Sequence, residues 1–403
     1  MSDPLLLVGV AIACFVAYNI GGSTTGPAFG PAVGAGVLSK TAAGGLMGVA
    51  FFGGAYTIGR RVVDTLGTEL VRDPSIFTLE ASILVLGFIG AALLVGNLSG
   101  APASTSMTAV GAIAGLGLAT GELDLAIIGE ILAWWILSPI IGFWMAVMIG
   151  RYWYSKVDRL ISIQQTPGPL LAVRREGVRV WITLGPNTTV RELVGTIVLI
   201  AIGCLMAFSS GTSNIANAIA PLVGSGALDM NLGIMLGCGA VAVGALTIAR
   251  RTMETLGNDI TDLPLTAAIV VALLSSAIVI LLSVLGIPAS FVVIATVCII
   301  GLGWGRSTRA VSVEEAVRGN VSPDLSVGAL AEDATAPTVG EPAQGTATAS
   351  QIGDPHVQHA RAQPARSELF DPGTTVRVLL MQNVVPILAT LGSYLTFFLL
   401  ETV

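Results

Sequence analysis

Residues 57–67, Thr57-Ile58-Gly59-Arg60-Arg61-Val62-Val63-Asp64-Thr65-Leu66-Gly67, return as Thr247-Ile248-Ala249-Arg250-Arg251-Thr252-Met253-Glu254-Thr255-Leu256-Gly257, at a constant offset of 190. The same offset carries Cys14 onto Cys204, Gly21 onto Gly211, Ser23 onto Ser213, Pro31 onto Pro221, and the Gly34, Gly36, Leu38 run onto Gly224, Gly226, Leu228. Agreement held this far without a gap marks an internal duplication. In an apolar chain that pattern points to transporters, where two related halves form one central site.

The chain is apolar on average. It is 53% hydrophobic and 11% charged, with a mean hydropathy of +0.83, whereas soluble domains carry roughly 25% charged residues. The surroundings it fits are a lipid bilayer. A net charge of −6 gives no basic face for nucleic acid. Cys14, Cys204, Cys238 and Cys298 lie in apolar stretches without metal-ligand or disulfide spacing and read as packing residues. Met1 to Pro4 lacks the basic start of a secretory signal, so the first apolar run is expected to be retained.

Crossing the hydrocarbon takes about twenty residues. Candidate spans fall near 4–22, 42–59, 78–96, 104–120, 125–150, 193–210, 232–249, 264–286, 288–304 and 376–400. Five per half is odd, so the second half must enter the membrane in the opposite sense. The Gly-, Ser-, Thr- and Pro-rich pieces at 23–38 and 212–228 are expected to be re-entrant or broken helices that meet at the midplane, where a cavity satisfies unwound backbone. The fold expected is therefore all-α, a polytopic inverted repeat of about ten spans plus two broken segments. Its parts are a first membrane repeat at 1–150, a cytoplasmic linker at 151–192, the first part of the second repeat at 193–304, a polar cytoplasmic loop at 305–375, and the last span at 376–403.

Basic residues orient these spans independently. With both termini outside the cell membrane, Lys40, the basics from Arg151 to Arg191, Arg250, Arg251 and those from Arg306 to Arg377 lie inside, leaving Arg60, Arg61 and Arg72 outside. The positive-inside rule prefers that orientation. Residues 305–372 are rich in Ala, Thr, Gly, Pro, Asp and Glu without periodicity and are expected to be disordered. The two histidines, His356 and His359, fall there with Asp354 and read as a solvated loop; no metal site is expected.

Chemistry then falls to neutral polar groups. Ser23, Thr24 and Thr25 in one half face Ser213, Asn214 and Asn217 in the other, each set near a helix start. Helix N-termini bind anions through free N–H groups and the macrodipole. Ser104, Thr105 and Ser106 start span four the same way, and their counterpart around Ser290 has lost most of its hydroxyls, so the site is expected to be asymmetric. Taken singly, such small residues are common packing elements of membrane helices; their recurrence at equivalent places in both halves points to a substrate site. Asp64 and Glu254, repeat equivalents one turn after the arginine pairs, are the first coupling candidates, with Glu80 and Glu130 behind them. No span holds a histidine or a carboxylate-rich pair, so a membrane-embedded enzyme is not expected.

These segments resemble the inorganic phosphate transporter family, which includes some sulfate permeases. Each half of that family carries a pattern close to GANDVANAFGTSVGSGAL; here the matching segments are GGSTTGPAFGPAVGAGVL from Gly21 and GTSNIANAIAPLVGSGAL from Gly211. The family's PVSTTH signature is similar to Pro102-Ala103-Ser104-Thr105-Ser106-Met107, and its Trp and Ser-Pro pattern to Trp135 and Ser138-Pro139. The resemblance covers roughly residues 5–150 and 193–400 and implies secondary active uptake of an oxyanion coupled to Na+ or H+, with no cofactor besides that ion and with a homodimer left open. Where the family has Asn, Asp and Asn, this chain has Ser23, Thr24 and Pro27, then Ser213, Asn214 and Asn217. Both core aspartates are gone, and with them a sodium ligand or an acceptor for protonated phosphate. Phosphate is the first reading from the family, sulfate the alternative, and a passive anion channel the third.

Overall fold

The computed structural model describes residues 4–34, 37–98, 104–161, 171–176, 179–184, 190–249, 265–308 and 372–401. The first half contributes α1 (Pro4–Gly34), α2 (Lys40–Gly54), α3 (Arg60–Asp64), α4 (Leu79–Leu98), α5 (Thr105–Ala119), α6 (Leu125–Met148) and α7 (Tyr154–Ile161). A hairpin of β1 (Leu171–Glu176) and β2 (Arg179–Leu184) follows. The second half contributes α8 (Val190–Gly224), α9 (Met230–Leu246), α10 (Leu265–Val284), α11 (Phe291–Ser307) and α12 (Pro372–Glu401). Among the described residues seven helical stretches are long and apolar enough to cross a membrane, and three shorter apolar helices, Thr105–Ala119, Met230–Leu246 and Phe291–Arg306, occupy the remaining expected positions.

Two expectations are corrected. The linker carries antiparallel strands, paired from Leu171 with Leu184 to Glu176 with Arg179, so the chain is predominantly rather than wholly helical; Val173, Val180, Trp181, Ile182 and Thr183 are strand formers. More consequentially, the helix does not break at 23 or at 212: α1 and α8 run on to Gly34 and Gly224. The hydroxyls expected to unwind the backbone instead donate to it, Ser23 and Thr24 to the Ile20 carbonyl at 3.1 and 2.7 Å, Thr25 to Gly21 at 2.6 Å and Thr212 to Ser209 at 2.7 Å. In lipid an intact helix is the conformation that satisfies its own backbone. Termination comes later, at the glycine run, where Leu38 N–H bonds the Ala32 carbonyl and Leu228 N–H the Leu222 carbonyl, with Gly226 at φ +72° as the left-handed helix stop. Glu254, Arg250, Arg251 and nearly all of the polar loop lie outside the described residues.

The early glycines serve helix contact. A side chain on Gly21 would run into the Val241 carbonyl of α9, and one on Gly211 into the Phe51 carbonyl of α2. Likewise Gly244 lies on Tyr18 and Gly54 on Phe208. Each pair maps onto the other at the sequence offset of 190, so α1 packs on α9 as α8 packs on α2. A second set of reciprocal seams joins α5 to α12, through Gly111 and Gly115 against Thr390 and Tyr394, and α11 to α6, through Gly301 and Gly305 against Phe143 and Val147. Small residues let membrane helices approach to backbone contact, where dispersion takes over from the absent hydrophobic force.

Candidate functional site

Helices α5 and α11 begin inside the protein, and each begins the same way. Ser104 (φ −74°, ψ 105°) accepts from Met107 N–H, and Ser290 (φ −89°, ψ 105°) accepts from Val293 N–H. Both serines are buried. A cap of this kind occupies one N–H of the first turn and leaves others to seek a partner. Because the cap serine accepts, its hydroxyl proton remains available to donate.

Between these starts and the middle of α8 lies a buried polar network. Thr105 Oγ1 donates to Asn214 Oδ1 at 2.6 Å, and Asn217 Nδ2 reaches the same oxygen at 3.1 Å. Ser106 and Ser213 both donate to the Ala289 carbonyl at 2.9 Å, and Ala289 N–H returns a bond to Ser213 Oγ at 3.0 Å. Asn214 Nδ2 donates to Ser210 Oγ at 2.9 Å. Ser106, Ser213 and Asn217 are fully buried, yet Asn217 Oδ1 has no hydrogen-bond partner among the described residues. The loop that supplies Ala289 is held from outside by Trp135, whose indole N–H donates to the Pro288 carbonyl at 2.7 Å.

A narrow cleft opens on this network; it is lined by Ser23, Thr24 and Pro27 of α1, Thr105, Ser210 and Asn214, and Ser290 at the start of α11, with Met206 and Phe291 as apolar walls. Among the described residues no carboxylate or basic group lines it. Its chemistry is that of hydroxyls, amides and helix-start N–H groups, which hold an anion without a fixed counter-charge.

Of the residues singled out from sequence, Ser23, Thr24, Thr105, Asn214 and Ser290 line the cleft, while Ser104, Ser106, Ser213 and Asn217 form the shell behind it. Thr25 is not brought there; it is fully buried and bonded within α1. Asp64 is exposed on α3, away from the cleft. Arg60 stacks on Tyr56 and donates to Asn231 Oδ1, and Arg61 donates to the Val284 carbonyl at 2.6 Å, so this arginine pair anchors helix ends. A separate narrow cleft lies between Thr65, Glu69, Glu130 and Leu285–Ile287. Ser210 and Met206 were missed; Ser210 is one helical turn before Asn214, a spacing that could have found it.

The sequence model of the phosphate transporter family matches residues 20–321. The sulfate permease CysP of Bacillus subtilis is 31% identical over 302 residues, covering 75% of this chain and 78% of the relative. A candidate phosphate permease of Pyrococcus furiosus is 26% identical over 376 residues, covering 77% and 90%. Among solved structures, one described as the sodium-dependent phosphate transporter superposes with a TM-score of 0.66 over the whole of both chains at 17% identity, a likeness of fold.

Proposed function

The chain belongs to the phosphate transporter family, a multi-pass membrane family, and from that membership we propose that it is a secondary active transporter carrying inorganic phosphate across the cell membrane. The observation that carries this reading is the cleft where Ser290 at the start of α11 meets Ser23 and Thr24 of α1 and Thr105 and Asn214. Uncharged donors hold a tetrahedral oxyanion and still release it, since no salt bridge has to be broken. Sulfate is the second reading. Among the described residues no carboxylate lines the cleft, sulfate needs none, and the relative from Bacillus subtilis is named a sulfate permease.

The two halves act as inverted repeats with both termini outside, and the reciprocal glycine contacts support that reading. Na+ or H+ drives the cycle. The similar solved chain is described as sodium-dependent, and Asp64, with its repeat partner Glu254, is the carboxylate pair for a proton. Asp64 closes a short α segment bracketed by π-helical turns at Ala55–Gly59 and Thr65–Glu69, a distortion common at functional positions.

Purified protein in liposomes is expected to concentrate labelled phosphate above the outside level under a sodium or proton gradient. Unlabelled sulfate, phosphate and arsenate added in competition, with and without sodium, rank the substrates and identify the coupling ion. Mere equilibration of label under every gradient would leave a passive channel and end the transporter reading.

A further inference from the structure

Gln382 of α12 is buried to 3% exposure, and its side-chain Nε2 has no hydrogen-bond partner among the described residues. A buried amide donor without a partner is costly, and an apolar side chain of the same shape would remove the cost. The position is informative. Helix α12 runs parallel to α5: Gly115 lies against Thr390 and Tyr394, and Gly111 against Pro386 and Thr390. Gln382, Pro386, Thr390 and Tyr394 follow one another at four-residue steps on that packing stripe. One further turn back along both helices brings Gln382 level with the first turn of α5, where Ser104, Thr105 and Ser106 stand.

The other half shows what this position does when it is satisfied. Trp135 precedes Pro139 in α6 by the same four residues that separate Gln382 from Pro386, and α6 packs on α11 through the reciprocal seam. The Trp135 N–H donates to the Pro288 carbonyl in the loop leading to Ser290. In one half, therefore, the donor fastens the loop before the buried helix start; in the other it has no acceptor among the described residues, which do not include 99–103 before α5.

We infer that Gln382 is a substrate-contacting residue whose amide N–H donates to the transported tetrahedral oxyanion at the start of α5. This rests on the oxyanion-transport reading above. The anion is the missing acceptor: it draws together the Gln382 donor, the first-turn N–H groups of α5 and the hydroxyls beside them. Phosphate and sulfate both offer the required oxygens.

The test is uptake of labelled phosphate and of labelled sulfate by liposomes containing the full chain, with Gln382→Met, Gln382→Asn and the unsubstituted protein compared. Gln382→Met keeps the shape and removes the donor; it is expected to raise KM about tenfold while leaving the apparent Tm without anion unchanged or higher. The rise in Tm produced by added phosphate or sulfate should shrink in parallel. Gln382→Asn withdraws the amide by one methylene and is expected to raise KM as well, which covers the case of a methionine variant that does not assemble. An unchanged KM together with an unchanged anion-induced Tm rise in a folded variant overturns the assignment while leaving the transport reading standing. Absence of uptake and of any anion-induced Tm rise in the unsubstituted protein overturns both.

Discussion

Side chains in this protein divide sharply between those that close helices together and those that hold polar atoms in lipid. Gly211 belongs to the first group: a methyl there meets the Phe51 backbone oxygen, which cannot rotate aside. Gly211→Ala is expected to destabilise the folded protein by about 1–3 kcal/mol or more, read as a lower Tm in detergent; stability equal to the parent would show that the seam can open at no cost. Asn217 and Ser104 belong to the second group. Asn217→Ala and Ser104→Ala are expected to reduce transport far more than membrane abundance, with the cap loss costing roughly 1 kcal/mol of stability in the serine variant. Parallel losses of transport and abundance would assign both residues to the fold alone.

At the level of elements, the positions of the helices were legible because each is a long apolar run bounded by polar or glycine-rich sequence, and Ser104 and Ser290 were legible as helix starts from their Pro-Ala-Ser setting. Continuity of α1 and α8 was not. A hydroxyl in a membrane helix is compatible either with an unwound cavity lining or with a bond back to the preceding turn, and sequence alone does not choose; Ser23, Thr24 and Thr25 took the second course. Gln382 was illegible for a different reason, since its meaning depends on the register between α12 and α5, elements at the two ends of a long stretch of chain that includes α6, the linker and the rest of the second repeat. The loop from Gly286 to Ser290 joins both subjects, because it carries the Ala289 carbonyl that Ser106 and Ser213 share. Trp135→Phe removes its outer fastening and is expected to cost about 0.5–1.5 kcal/mol and to slow transport severalfold without dissolving the helices. Circular dichroism and initial uptake rates check this together, and an unaltered rate would make the tryptophan bond incidental.

On the scale of the whole molecule, the duplication makes a prediction about sidedness. Ser39 caps α2 and Asp229 caps α9, both are exposed, and they are equivalents at the repeat offset. If the halves are inverted, cysteines at these two places react from opposite sides: Asp229→Cys with a membrane-impermeant maleimide in intact cells, Ser39→Cys only after the membrane is opened. Labelling of both from one side would rule out inversion. The reciprocal contacts of Gly21 with Val241 and of Gly211 with Phe51 also constrain how such a machine can move. Two struts bolted backbone to backbone cannot slide past each other without shearing off the glycine that joins them. The working stroke is thus confined to joints that lack such bolts, and the paired struts ride through it as rigid girders.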